Sequence, residues 1–295
     1  MSADHTFDWS WRGVAIPVRY DLFGANDRAR VLLLPALSTV STRDEMAALA
    51  RLLSRSRRVL VTDWPGFGDN PRPALDYHSD LYRALLEALL AHLRDSPAAR
   101  AVVAAGHAAA YAIDLEARRP ATFAKLVLIA PTWRGPLPTV MGGRRPIQNR
   151  IRRLVQMPVL GELLYRINVS RPIVRMMYKG HVYADPAFIT SDHLARRMQL
   201  ARRPGARFAS ACFVTGALDP FHNRESFLAA ARRLEIPVLV IYGEHTPRRS
   251  RAEMDALAGL PNVESQVLQH GALGIHEELP AEIAPLIEAF LDRRP

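Results

Sequence analysis

The stretch VVAAGHAAAYAIDLEARR, residues 102–119, contains the local pattern that decides the fold. Its apolar start, Val102 to Ala105, predicts a short strand buried on both faces. Gly106 follows this strand, and glycine is suited to a tight turn. The small residues from Ala108 onward predict a helix. A strand, a tight turn and a helix in immediate succession are typical of an α/β protein with a parallel sheet.

The same alternation recurs on both sides of this stretch. Short apolar strands are predicted at 14–20, 31–34, 59–62, 101–105, 126–130, 237–243 and 263–268, and helices at 42–54, 79–93, 108–118 and 281–291. Strands alternating with helices predict a mostly parallel, doubly wound sheet that is covered on both faces.

The alternation stops in the middle of the chain. Residues 134–235 carry helical patterns without intervening strands, which predicts a helical cap or lid inserted into the core. The predicted core is therefore 1–133 together with 236–295. Between Arg134 and Arg203 stand fourteen basic residues and only three acidic ones, whereas the whole chain has a net charge of +10.

Composition excludes several classes of protein. A single cysteine, Cys212, excludes a disulfide framework and a cysteine-rich metal site, and favours a reducing compartment. The acidic, polar start MSADHTFDWSW is no secretory signal, and no apolar run reaches the roughly 20 residues that span a bilayer. We expect a cytoplasmic protein.

The uneven charge suggests an anionic partner, either an acidic ligand or an anionic membrane. Residues 144–179, RRPIQNRIRRLVQMPVLGELLYRINVSRPIVRMMYK, interleave arginine with apolar residues as interfacial helices do, which predicts a peripheral membrane location. The alternative is a solvated, arginine-rich surface. The segment matches no nucleic-acid recognition module, so nucleic acid is not an expected partner. Nothing in the sequence constrains the oligomeric state.

Five short motifs, in order, resemble those of the α/β-hydrolase superfamily. They are Leu34-Pro35-Ala36-Leu37-Ser38, Asp63-x-Pro65-Gly66-Phe67-Gly68, Gly106-His107-Ala108-Ala109-Ala110, the strand Pro237 to Gly243, and Glu278-Leu279-Pro280. The resemblance covers nearly the whole chain and implies an α/β-hydrolase fold with an inserted helical cap. A shared fold does not imply shared chemistry.

The resemblance also implies three catalytic positions, and none holds a catalytic residue. The family nucleophile is the central serine of a G-x-S-x-G turn, followed along the chain by an acid and a histidine. The corresponding residues here are Ala108, Thr246 and Leu273. Pro35-Ala36 stands where members usually carry His-Gly in the loop that supplies an oxyanion donor. The sequence therefore predicts a protein without serine-hydrolase activity.

Three hypotheses for the function follow. The first is a pseudoenzyme that binds a small apolar or anionic molecule, with a site formed by Pro35, Ala36, Leu37, Ser38, His107, Ala108, Ala109 and Leu273. The second is a non-hydrolytic enzyme, such as a lyase, an isomerase or a cofactor-free catalyst, that uses Ser38, His107 or His276. The third is an esterase-like hydrolase with relocated catalytic groups. No cofactor or metal is expected, because metal-ligand spacings and a complete dinucleotide fingerprint are absent from the sequence.

Several other polar residues are further candidates for the missing catalytic groups. They are Asp219, Glu244 and His245 as acids, His270 beside the empty histidine position, and Thr42 near the oxyanion loop. Loop carboxylates are usually solvated, and a lone histidine needs a positioned partner before it can act as a base. His107 is interpreted as a structural residue, and His276-Glu277-Glu278 as the charged start of the final helix.

Overall fold

A computed structural model describes residues 3–25, 30–93 and 99–293. Its centre is an eight-stranded sheet with the order β1-β4-β6-β5-β7-β8-β9-β10. The strands are β1 (Ala3–Phe7), β4 (Val18–Phe23), β5 (Arg30–Leu34), β6 (Arg58–Thr62), β7 (Ala99–Ala105), β8 (Lys125–Ile129), β9 (Val238–Gly243) and β10 (Val263–Leu268); β2 (Ser10–Trp11) and β3 (Val14–Ala15) form a separate hairpin.

Six neighbouring strands run parallel, and the first two strands of the sheet run antiparallel to their neighbours. The prediction of a mostly parallel sheet in an α/β fold is confirmed. The prediction of a single strand at 14–20 is wrong, because β3 ends before Pro17 and β4 begins after it. Proline has no N–H to donate to a neighbouring strand, so it interrupts the pairing. Strand β1 was not predicted from the polar N-terminal sequence.

Helices lie between the strands. A 3-10 helix (Arg43–Met46) runs into α1 (Ala47–Leu53), and α2 (Ser79–His92) and α3 (Ala108–Arg118) follow. After β9 come α11 (Arg248–Ala258), α12 (Ile275–Glu278) and α13 (Pro280–Asp292). Between β8 and β9 lie α4 (Pro136–Met141), α5 (Pro146–Gln156), α6 (Leu160–Asn168), α7 (Arg171–Met177), α8 (Ser191–Ala201), α9 (Ala206–Val214) and α10 (Arg224–Arg232).

The buried apolar residues form two clusters. The larger one surrounds the sheet and includes residues of α9 and α10, such as Cys212 and Phe227. The smaller one lies within 165–206 and joins α6, α7 and α8 around Tyr165, Tyr178 and Leu194. Within the described ranges, no helix is long and apolar enough to span a bilayer.

Candidate functional site

The turn after β7 lies at the carboxyl end of the parallel strands, where ligands of open α/β sheets bind. Gly106 has a φ of +52°, and a Cβ added there would lie 3.0 Å from the Cβ of Ala36. Glycine therefore allows the turn to approach the loop after β5 closely. Ala108 begins α3 immediately after the turn and is fully buried. Its methyl group offers no hydroxyl, acid or base.

A cavity of about 140 Å³ lies beside this turn. Its lining contains Ala36, Leu37, Ser38, Val40, Ser41, Glu45, Gly106, His107, Thr132, Tyr178, Val182, Tyr183, Arg197, Phe213, Leu273, Gly274, His276 and Glu277. Of the candidate residues from sequence, the cavity brings together Ala36, Leu37, Ser38, His107, Leu273 and His276. Pro35, Ala108 and Ala109 are buried but do not line it.

One part of the wall is polar and joins the inserted helices to the core. Arg197 of α8 pairs with Glu277 of α12, and its Nη1 lies 3.6 Å from Glu45 Oε2. Tyr183 donates its hydroxyl to Glu277 Oε1 at 2.7 Å. The hydroxyl oxygens of Ser38 and Ser41 are 2.8 Å apart. The lining also includes the apolar side chains of Leu37, Phe213 and Leu273.

The Glu45 carboxylate also accepts a hydrogen bond from a backbone amide of the loop after β5. The N–H of Ala36 donates to Glu45 Oε1 at 2.5 Å. In hydrolases of this fold that loop supplies one oxyanion donor, and the residue after the nucleophile supplies the other. Here the corresponding second amide, that of Ala109, donates to the Gly106 carbonyl at 3.3 Å. Two amides of the oxyanion region are therefore engaged by groups of the protein itself.

His276 is buried in this polar wall rather than solvated. Its Nε2 lies 3.4 Å from Glu45 Oε1, and neither ring nitrogen has a hydrogen-bond partner within 3–25, 30–93 and 99–293. The interpretation of His276-Glu277-Glu278 as the charged start of the final helix is wrong. The three residues belong to the short helix α12, in which His276 and most of the Glu277 side chain are buried.

A second buried pair lies on the other side of the turn. His107 Nε2 is 3.4 Å from the Leu218 carbonyl and 3.5 Å from Asp219 Oδ1. Asp219 accepts from the Gly135 N–H at 2.8 Å. Tyr111 donates its hydroxyl to the same Leu218 carbonyl. These contacts agree with the interpretation of His107 as a structural residue, because its Nε2 faces a backbone carbonyl and a carboxyl group of the inserted segment.

Burial favours the uncharged form of both members of this pair. It lowers the pKa of His107 to about 4 and raises the pKa of Asp219 to about 8. The Arg144 charge and the Gly135 N–H partly oppose the shift of Asp219. At pH 7 His107 is therefore a neutral imidazole of low basicity and Asp219 is protonated, so Asp219 supplies no carboxylate that would strengthen the histidine as a general base.

Glu277 behaves differently although it is also buried. Burial opposes its ionisation, but the charge of Arg197 and the neighbouring donors outweigh burial, so the pKa of Glu277 is lowered. Carboxylate oxygens of Glu45 and Glu277 and a nitrogen of His276 lie within 4.8 Å of one another, close enough to ligate a metal ion. A divalent cation would have to compete with the Arg197 guanidinium, which already pairs with both carboxylates.

The remaining polar candidates do not reach the cavity wall. Glu244, His245 and His270 are exposed, with the two imidazoles stacked on each other at 6.5 Å. Thr246 is buried and lies outside the lining. Thr42 is the N-terminal cap residue of the 3-10 helix but makes no capping bond through its side chain.

Sequence reasoning missed the residues that make the polar wall, namely Glu45, Tyr183, Arg197 and Glu277. Glu45 and Glu277 follow different strands, and Arg197 comes from an inserted helix, so no spacing in the sequence connects them. The only signal was the position of Glu45 in the first turn after the loop that follows β5, where an acidic side chain faces free backbone amides.

Comparison with known proteins agrees with this topology. The model of the family described as "Alpha/beta hydrolase family" matches residues 31–286. The chain belongs to the alpha/beta hydrolase family. No curated protein matches the chain by sequence.

Solved structures of family members resemble the whole chain at low identity. A serine hydrolase involved in carbazole degradation is 16% identical, with a TM-score of 0.73 and full coverage of both chains. The epoxide hydrolase CorEH is 19% identical, with a TM-score of 0.72 and 99% coverage of each chain. An enol-lactonase from Burkholderia xenovorans is 17% identical, with a TM-score of 0.72 over 94% of this chain and 97% of that one. At these identities the likeness shows the fold alone.

Proposed function

We propose that this alpha/beta hydrolase family member is a non-hydrolytic protein that binds a small, largely apolar molecule in the cavity beside Gly106. The observation that carries the proposal is the pairing of an open, mostly apolar cavity with Ala108 at the start of α3. Apolar pockets with a few convergent polar groups are suited to ligand binding. Thr246 and Leu273 occupy the other two positions where the family resemblance implies an acid and a histidine.

The size of the cavity limits the ligand. A cavity of about 150 Å³ in another protein holds one benzene molecule, and the cavity here is about 140 Å³. A single small ring or a short aliphatic chain fits that volume. Leu37, Phe213 and Leu273 would contact its apolar part.

The polar wall favours a neutral hydrogen-bonding group over an anion. Glu45 and Glu277 face the cavity together with only one permanently charged cation, Arg197. Even with His276 protonated, this wall carries no surplus positive charge for a carboxylate ligand. A hydroxyl group can donate to a carboxylate or a ring nitrogen and is the group we expect on the ligand.

Ligand-observed NMR with phenol, benzene and benzoate tests the cavity directly. We expect phenol to bind most tightly, benzene more weakly and benzoate least. Leu273→Phe should fill the cavity and abolish phenol binding, whereas Val267→Phe, a similar enlargement at an exposed site on β10, should leave it unchanged. Equal binding of phenol to wild type and Leu273→Phe would contradict the site.

Labelling with a serine-reactive fluorophosphonate tests the loss of hydrolysis separately. We expect no labelling of the wild type, and none of Ala108→Ser, because a serine there has no base to accept its proton. Labelling of the wild type that one Ser→Ala change abolishes would establish a hydrolase with relocated groups and overturn the non-hydrolytic proposal.

A further inference from the structure

Large apolar side chains are exposed along one continuous part of the inserted segment. Ten of the eleven exposed large hydrophobic residues of the described chain fall between 140 and 177. They are Val140, Ile147, Leu154, Met157, Val159, Leu160, Leu163, Ile167, Met176 and Met177. Scattered exposed hydrophobic residues are ordinary on proteins, but a concentration of this kind marks an interaction surface.

Two adjacent helices and the turn that joins them carry seven of these ten residues, and they form a hairpin. Helices α5 and α6 pack against each other, and a Cβ on Gly161 would lie 2.2 Å from the Val155 carbonyl oxygen, so the two backbones are in close contact. The inner side of the hairpin is fixed, because Tyr165 donates its hydroxyl to the Ala201 carbonyl at 2.8 Å.

The outer side of the hairpin is apolar in regular stripes. Leu160, Leu163 and Ile167 follow one face of α6 at helical spacing, and Leu163 and Ile167 are 57% and 55% exposed. Ile147 and Leu154 follow one face of α5 seven residues apart. The fold thus positions apolar side chains outward on a body that is packed on its other side.

The tip of the hairpin is strained as well as apolar. Val159 is 86% exposed, has φ +54° and ψ −70°, and the Leu160 N–H donates to the Pro158 carbonyl at 2.6 Å. These values describe a tight γ-turn of the strained type, in a β-branched residue that disfavours positive φ. Backbone strain concentrates at functional positions, which makes this tip a candidate contact point.

Charge identifies the partner. Residues 140–179 hold nine basic residues and one acidic residue, Glu162, whose carboxylate pairs with Arg166 and Arg207. A second copy of the chain would bring the same positive charge against this surface. Basic side chains flanking an apolar face are the pattern of helices that lie in the headgroup region of anionic bilayers.

We infer that the α5–α6 hairpin docks the protein on an anionic lipid bilayer, with the Met157-Pro158-Val159 tip and the outer face of α6 entering the headgroup region. The flanking arginines contact the lipid phosphates. This inference is independent of the ligand in the cavity and stands whether or not the protein hydrolyses anything.

Co-sedimentation with vesicles tests the inference on the full chain. We expect binding to vesicles of phosphatidylcholine that contain about 30% phosphatidylglycerol, and roughly tenfold weaker binding to phosphatidylcholine alone. Each contact of Lys or Arg with an anionic surface contributes about fivefold in affinity, so added salt should also weaken the binding. If the protein binds neither kind of vesicle, the inference is overturned.

Two variants locate the contact. Leu163→Asp with Ile167→Asp should weaken binding to the anionic vesicles at least tenfold, since burying a leucine-sized side chain contributes at least that factor. The matched control Val267→Asp changes an exposed apolar residue on β10 and should bind as the wild type does. Equal binding of the double variant and the control would overturn the assignment.

Val159→Gly separates lipid contact from misfolding. Glycine accepts positive φ without a Cβ clash, so we expect an unchanged or higher melting temperature together with weaker vesicle binding. Unchanged vesicle binding would remove the tip from the contact. Light scattering tests the alternative that a second copy of the chain occupies this surface. If the wild type forms a dimer that Leu163→Asp with Ile167→Asp dissociates, and binds no vesicles, the surface belongs to a second copy and the inference is overturned.

Discussion

At the scale of single residues, the most informative pair is His107 and Asp219, which share one buried location next to the turn. Burial moves their pKa values in opposite directions, to about 4 and about 8. An unfolded histidine has a pKa near 6.5 and an unfolded aspartate near 3.9. Between about pH 4 and 6.5 the two groups therefore affect stability in opposite directions, and between pH 6.5 and 8 only Asp219 acts.

We expect the free energy of unfolding to fall as the pH rises from 6.5 to 8. In that range the folded Asp219 holds a proton that the unfolded carboxyl has lost, so folded protein binds more protons, and the loss can reach about 1.4 kcal/mol per pH unit. Asp219→Asn should abolish this slope. Urea denaturation at pH 6.5, 7.2 and 8 measures it.

Asp8→Asn serves as the control because Asp8 is exposed. It should retain the wild-type slope. A wild-type protein whose unfolding free energy is constant over this range would show that Asp219 is ionised in the folded state, and would contradict its raised pKa.

At the scale of elements, the turn after β6 depends on a buried ionic contact. Arg43 of the 3-10 helix donates to Asp63 Oδ2 at 2.5 Å and also pairs with Asp21 and Asp69. Gly68, at φ +53°, leaves room for Asp63: a Cβ added to it would lie 2.0 Å from Asp63 Oδ1. The turn after β6 and the start of the 3-10 helix are thus held by one carboxylate.

Gly68→Ala should destabilise the fold by roughly 3–5 kcal/mol, because the added methyl displaces Asp63 and leaves buried charges without their partners. Gly142→Ala is the matched control: Gly142 has φ +73° but open space around its Cβ, so only the left-handed strain of about 1–2 kcal/mol applies. Equal losses of unfolding free energy in the two variants would contradict the clash.

The elements also show how far sequence reasoning reaches. The alternation of apolar strands and helices predicted the sheet, because periodicity reports burial directly. The split at Pro17 and the existence of β1 were missed, since a short antiparallel strand at the edge carries no continuous apolar run. In the candidate site, the same limit applies: residues near Gly106 were found by their motif, whereas Glu45 and Arg197 meet only in three dimensions.

At the scale of the whole molecule, Arg197 is a buried charged connection between the inserted helices and the core. It donates to the Val40 carbonyl at 3.2 Å and pairs with Glu45 and Glu277. Burial alone would lower its pKa, but the charge of Glu277 outweighs burial and raises it, so Arg197 is permanently charged.

Arg197→Met should lower the free energy of unfolding by about 3–5 kcal/mol, because it leaves Glu45 and Glu277 buried without their cation. Arg196→Met changes an exposed neighbour on the same helix and should cost less than about 1 kcal/mol. Adding Glu277→Gln to Arg197→Met should recover part of the loss in a double-mutant cycle. Urea denaturation of the wild type, the three single variants Arg197→Met, Glu277→Gln and Arg196→Met, and the double variant measures these differences. A loss below about 1 kcal/mol for Arg197→Met would contradict the connection.

The hydrogen bond from the Ala36 amide to Glu45 bears on any attempt to engineer catalysis into this chain. A carboxylate tethered nine residues away is always present at high effective concentration, so it acts as a built-in competitor for the amide. Installing serine, acid and histidine at 108, 246 and 273 would leave that competitor in place. Engineering would therefore have to replace Glu45 first, and would then have to provide new partners for His276 and Arg197, which both contact its carboxylate.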